Sequence, residues 1–433
     1  MKPIRRSAVI AAVLAGVLTA GAACSSDDSG SGDSGQITLT VDTFGSFGYE
    51  DLFAQYEKDH AGIKIEHRNE KEHEKVYVPN LLKYLETSSG AGDVVALEEG
   101  VLTNLRGRSD KFLDLNQYGA AELKDDFLPW KWSLGQSLDG KSLMALGTDV
   151  GGLAMCYRSD LFEKAGLPTD REAVGQLWPT WQAYVDTGKK FQEKVPGTKF
   201  VDGLTTLFNA SLSQEAPKNG NVTYFDASDK YVADTNPAVK TAFDFVTGLN
   251  NEKLSAGLKS FTPQWQTGFK KDSFATMACP AWMLGVIEEN AGEAYAGKWD
   301  VAAVPGGGGN WGGSFLAVPK QSEHPKEAAD LAKFLTSAQS QITAFEAVNA
   351  LPTSKKALAD PKVKDAKDAY FSDAPVGEIF ASTAASLQPV QLGVKNVDVR
   401  TVFEDVLVAL GQGKLSPEEA WKKAVEDGRD KAE

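Results

Sequence analysis

Glu98 and Glu99 follow the apolar run VVAL, and two carboxylates side by side are the equipment of glycosidic acid and base catalysis. Adjacent side chains on extended backbone point to opposite faces, so the pair reads better as binding acceptors than as partners in a reaction. They stand at the C-terminal end of an expected strand, the edge where open α/β sheets hold ligands. A hydrolase using Glu98 or Glu99 with Asp149 is the enzymatic alternative, but no further acid/base constellation accompanies them.

Other motifs resolve into ordinary structure. GQSLDGKS (Gly135 to Ser142) matches the phosphate-loop pattern GxxxxGK[ST], yet LMALGTDVGG follows it where the motif requires a helix. Asp139-Gly140 is expected to be a hairpin turn. PGGGGNWGG (Pro305 to Gly313) contains GxGxxG only because consecutive glycines satisfy many patterns, and the strand-like FLAVP comes next. His67 and His73 lie six residues apart among carboxylates, a spacing uncommon for metal ligands, so a solvated surface is expected and no metal or cofactor.

Aromatic residues carry more information. Nine tryptophans include Trp130, Trp132, Trp178, Trp181, Trp282 and Trp311. Indole faces stack on the C–H faces of sugar rings while carboxylates and amides bind the hydroxyls. Trp282 and Trp311, at turns after strands, are the candidates for ligand contact; the others are expected in the core.

These residues must be positioned by a scaffold. ITLTVDTFG, IKIEHRN and DVVALE alternate with the helical patterns EDLFAQYEKDH and KVYVPNLLKYLET, which predicts a mostly parallel α/β sheet. FATMAC, WDVAAVP and GSFLAVP are later strands, and helices dominate from Pro325 onward, including PKEAADLAKFLTSAQSQITAF and VDVRTVFEDVLVALGQG. Cys156 and Cys279 lack the spacing of a zinc cluster; outside the cytoplasm they can pair, and sequence alone leaves that open.

At the N-terminus, Lys2, Arg5 and Arg6 precede the uncharged run Ala8 to Ala23, which is shorter than the roughly 20 residues that span a bilayer. Small residues lead to Cys24, and residues 25 to 36 carry no apolar side chain, so they read as a flexible tether. Removing 23 residues and their three basic groups from 433 residues at charge −14 leaves 410 residues at −17, enough for two domains. Such acidity argues against nucleic acid and anionic ligands and suits a neutral one.

The leader is similar to bacterial lipoprotein signals, with Gly21 where a leucine-like residue is usual; this implies lipidation of Cys24 and an exported body anchored to the outer face of the cell membrane. GGLAMCYRSDLFEKAGLP (Gly151 to Pro168), FKKDSFATMACPAWM (Phe269 to Met283), the run from Trp299 to Ser337, LPTSKKAL and LSPEEAWKKA resemble, in order and spacing, extracellular solute-binding protein family 1, the sugar receptors of ABC transporters. Tyr157-Arg158 and Asp272-Ser273 depart from the family pattern. CYR followed by DLFEKAGLP, together with FSDAPVGEIF (Phe371 to Phe380), is most similar to actinobacterial members that bind cellobiose and cello-oligosaccharides.

The resemblance implies a two-lobed α/β fold of the periplasmic-binding-protein type II, with a hinge of several chain crossings. It implies a signal peptide over 1–23, a lipidated linker over 24–36, lobe one over 37–148 plus 312–353, and lobe two over 149–311 plus 354–433. It also implies a monomer without catalysis that hands an oligosaccharide to ABC permease subunits. Phe44, Phe47, Tyr49, Glu98, Glu99, Asp149, Trp282, Trp311, Gln391 and Asn396 are its expected ligand contacts. Xylo-, malto- and chito-oligosaccharides remain alternatives to the cello series.

Overall fold

Strand β1 (Ile37–Phe44) buries Leu39 and Val41 as its alternation suggests, and its C-terminal half is buried on both faces, Asp42 and Thr43 included. The computed structural model describes residues 35–387 and 390–433. The signal, Cys24 and nearly all of the tether lie outside the described residues.

β1 pairs in parallel with β2 (Ile63–Glu70) and β3 (Val94–Glu98). β3 then pairs antiparallel with β9 (Ser314–Ala317), and β9 with β4 (Ala145–Gly147), giving the order β2-β1-β3-β9-β4. A second sheet has the order β6-β7-β5-β8, built from β5 (Leu153–Arg158), β6 (Lys199–Val201), β7 (Phe274–Pro280) and β8 (Trp299–Ala302). Helices pack on both sheets, and each sheet has its own buried apolar clusters.

The expectation of mostly parallel pairing is corrected: the sheets are mixed. β5 and β9 each enter their sheet straight from a crossing between the two sheets, whereas β3, β4, β7 and β8 end at that same side. They must therefore run against their neighbours. The result gathers the C-terminal ends of β3, β4, β7 and β8 and the starts of β5 and β9 along one edge, where the candidate site lies.

Gln136 and Leu143 close a hairpin around Asp139-Gly140, with Gly140 at φ +70° and β4 following, so the GxxxxGKS stretch has no helix to offer a phosphate. Cys156 and Cys279 form a disulfide between β5 and β7, with Cα atoms 5.8 Å apart and both residues fully buried. The bond closes a long loop, a separation of 123 residues. Replacing both cysteines by alanine is expected to cost about 2–4 kcal/mol of stability. The check is a thermal melt of the variant beside wild type; coincident midpoints would mean that the bond contributes nothing.

Candidate ligand-binding cleft

Three crossings join the sheets, and hydrogen bonds sew them together. Residues 148–152, 310–313 and 351–354 meet through Asp149↔Pro352 and Gly152↔Asn310 bridges. Val150 N–H donates to Leu351 O (2.9 Å) and Trp311 N–H to Gly151 O (2.8 Å). Gln341 Oε1 accepts from the backbone of Thr353 (2.6 Å) and Ser354 (3.0 Å), pinning the third crossing. Asp149 Oδ1 accepts from Ser314 N–H and the Thr148 hydroxyl, both at 2.8 Å, so this expected ligand contact serves to hold two crossings.

Glu99 is similarly engaged. Its carboxylate takes Lys131 Nζ at 3.2 Å and Asn310 Nδ2 at 3.0 Å, while Asn310 Oδ1 accepts from Gly151 N–H. The Lys131 side chain is fully buried and its ammonium lies 4.0 Å above the Phe315 ring. Burial pushes the Glu99 carboxyl up, with Lys131 opposing it. Glu99 thus forms a largely buried ion pair with Lys131 that is tied through Asn310 to the first and second crossings.

Glu98 points elsewhere, as adjacency on a strand end requires. It caps the helix Glu99–Leu105, accepting from Gly100 N–H (2.8 Å) and Val101 N–H (3.3 Å). Its other oxygen faces Arg400 at 3.8 Å, and Arg400 Nε stands 3.7 Å from Glu404. Neither approach is a hydrogen bond, and Arg400 Nε has no acceptor among the described residues. Asn209 Nδ2 donates at 2.8 Å to Glu404 Oε1, the same oxygen that Arg400 approaches. From the first sheet, a π-helical turn (His73–Tyr77) sets His73 against Phe44, ring centroids 4.2 Å apart. Burial lowers the His73 pKa against the pull of Glu98 and Glu74, so the ring is neutral at neutral pH. Glu98, Arg400, Glu404 and Asn209 thus alternate acceptors and donors where the two lobes meet.

Next to them lies an aromatic group. Glu98 Oε1 is 3.7 Å from where a Cβ on Gly312 would stand, and Trp311 precedes that glycine. The Trp311 and Trp282 rings are 5.3 Å apart, and Phe261 lies 6.3 Å from each. Both indoles are half-buried, whereas Phe261 is 53% exposed, one of two large apolar side chains so displayed among the described residues. Its φ of +63° is unusual for a bulky residue, a strain that clusters at functional positions. Sequence reasoning missed Phe261, whose only signal was an aromatic between two polar residues.

Behind Phe261 stands Trp265, centroid distance 5.4 Å, whose indole N–H donates to Asp202 Oδ2 at 2.8 Å. Asp202 is fully buried, and its Oδ1 has no donor among the described residues. Burial raises its pKa from 3.8 to about 7. Between those values the unfolded chain releases the proton and the folded chain keeps it, so stability is lost as pH rises from about 4 to 7. Asp202→Asn keeps an acceptor for Trp265 and is expected to flatten that slope, gaining on the order of a few kcal/mol at pH 8. Melts at pH 5 and 8 decide it: parallel losses in variant and wild type would refute the assignment.

The remaining expected contacts are scattered. Phe47 packs edge-on against Phe44 and tilts toward Tyr49, extending the aromatic edge of the first lobe. Tyr49 is buried in the core of that lobe, its phenol pushed up by burial and by Asp149. Asn396 opens the helix Asn396–Gly411 one turn before Arg400, on the same face. The Gln391 backbone bridges to Val222 and its carbonyl accepts from the Thr223 hydroxyl in the second lobe. His67 bonds Thr43 Oγ1 at 2.7 Å and packs on Phe53, a different setting from His73. Trp178 and Trp181 bond Ala303 O and Gln214, as core residues do.

Two α/β lobes on a three-stranded hinge, with stacking surfaces and unsaturated polar groups between them, define a protein that encloses a solute. The sequence profile of bacterial extracellular solute-binding proteins matches residues 51–370, and the chain belongs to that family. It is similar to the arabinooligosaccharide-binding protein of Bacillus subtilis, 27% identical over 335 residues and 72% of both chains. A crystal structure of an extracellular solute-binding protein of family 1 superposes with TM-score 0.82 at 39% identity, covering 92% of this chain and 100% of the other. The ABC-transporter-associated binding protein of B. animalis subsp. lactis Bl-04, solved with β-1,6-galactobiose, gives 0.76 at 26%, covering 91% and 98%. The chain is accordingly a binding protein and not an enzyme, and among the described residues no helix is long and apolar enough to cross a membrane.

Proposed function

We propose that this protein is the lipid-anchored receptor of an ABC importer and encloses a neutral oligosaccharide between its lobes. The carrying observation is the Phe261, Trp282 and Trp311 group, joined through Gly312, the residue after Trp311, to Glu98, which in turn faces Arg400. Stacked rings supply affinity for C–H faces, and the alternating carboxylates and guanidinium orient hydroxyls. An acidic body of charge −17 suits an uncharged ligand.

Cellobiose or cellotriose is the preferred ligand, on the likeness of CYR with DLFEKAGLP, together with FSDAPVGEIF, to cello-oligosaccharide receptors. Arabino-oligosaccharides and β-1,6-galactobiose join the xylo-, malto- and chito-series as competitors, because proteins similar to this one carry those names. Lobe one comprises 37–148 plus 312–353 and lobe two 149–311 plus 354–433, with a monomeric body leashed by 24–36 through lipidated Cys24 to the outer face of the cell membrane and delivering its load to permease subunits.

Titration calorimetry of residues 37–433 against cellobiose, cellotriose, xylobiose, maltose, chitobiose, arabinobiose and β-1,6-galactobiose tests the reading. Saturable binding to the cello series alone supports it; preference for another series replaces the ligand, and silence throughout refutes the oligosaccharide assignment.

A further inference from the structure

The helix Asn396–Gly411 is rooted in the second lobe through Val399, Phe403, Val406, Leu407 and Leu410. Val397 and Arg400 on its outward face, and Val394 in the turn just before it, face the first lobe. There two glycines seven apart receive it. A Cβ at Gly100 would stand 2.5 Å from Val397 Cγ2, and one at Gly107 would stand 4.0 Å from Val394 Cγ2 and 3.6 Å from Leu138 Cδ1. Leu138, at the hairpin of the first lobe, is 53% exposed, and Val394 is tied to the second lobe by Asp229 at 3.0 Å. Glu98 and Arg400 face one another beside the Gly100 contact.

We propose that Gly100 and Val397 form a clasp that sets how closely the two lobes approach and thereby the affinity for the enclosed ligand. The first lobe offers no side chain at Gly100, so the valine from the second lobe descends onto bare helix backbone. A methyl group there forces either the helices apart or the valine aside. Because dense packing is bistable rather than compliant, a small wedge moves whole lobes. The part concerning affinity rests on the sugar-receptor reading above; the part concerning lobe separation does not.

Nitroxide labels on cysteines substituted at Lys83 in the first lobe and Lys218 in the second report the separation, and calorimetry with the best-bound sugar of the panel reports affinity. Gly100→Ala is expected to lengthen the label distance and weaken binding about tenfold, the scale of one overpacked methyl. A Cβ at Gly100 also stands 2.9 Å from Glu98 Oε2 within its own lobe, so the decisive variant is Gly100→Ala with Val397→Ala. Recovery of distance and affinity in the double variant supports the clasp. Failure to recover, or an unchanged distance in Gly100→Ala, overturns it. Val397→Trp adds the wedge from the other side without touching the helix Glu99–Leu105, and is expected to lengthen the distance in the same way. Should no sugar bind even wild type, the ligand reading fails while the label distances still decide the clasp.

Discussion

Lys131→Met is expected to cost about 3–5 kcal/mol of stability, because it strips the cation from Glu99 and leaves a carboxylate buried with only Asn310 to bond it. The loss has a pH signature. Burial already raises the Glu99 pKa, and without Lys131 the largest opposing influence is gone. The variant should therefore weaken further as pH climbs through the carboxyl's folded pKa, where wild type holds. Adding Glu99→Gln keeps an acceptor for Asn310 and removes the charge, so the double variant should regain most of the stability and lose the slope. Denaturant unfolding at pH 5 and 8 is the measurement. A Lys131→Met protein as stable as wild type at pH 8 would mean that water reaches Glu99 and that the pair is not the pin of the hinge.

Trp282→Ala is expected to weaken sugar binding by roughly 1–3 kcal/mol, or about 5- to 150-fold, while the melt stays near wild type. The half-buried indole leaves the fold little dependent on it. Trp311→Ala should behave alike, and because the rings touch, the double variant should lose less than the two single losses together. Phe261→Ala belongs to the same series. Calorimetry with the tightest ligand decides: affinity unchanged in Trp282→Ala would place that ring in packing alone and move the stacking surface elsewhere.

Much of this arrangement was legible in the residues. Alternating apolar patterns marked β1, β2 and β3, and turn-flanked tryptophans marked Trp282 and Trp311, since both signals are local. The mixed pairing of the sheets was not, because direction depends on which side of the molecule a crossing enters. Nor was the Cys156–Cys279 bond, which exists because β5 and β7 pair in a register that brings the sulfurs together. Lys131 sits between two tryptophans in a short helix, and nothing nearby announces that tertiary packing will bury it completely. Arg400 and Glu404 lie on a helix whose amphipathic pattern says only that one face is polar, not that it meets Glu98 across a cleft. Tyr49 shows the converse error: a tyrosine after the first strand looks like a platform, yet the turn of chain behind Phe44 folds it inward.

The disulfide has a mechanical corollary. β5 begins two residues beyond Gly151, where the chain leaves the hinge, and β7 ends two residues before Trp282. The sulfur bridge triangulates these two strands into a stiff lever arm. The strand that leaves the first crossing and the strand that carries Trp282 are therefore one covalently joined unit.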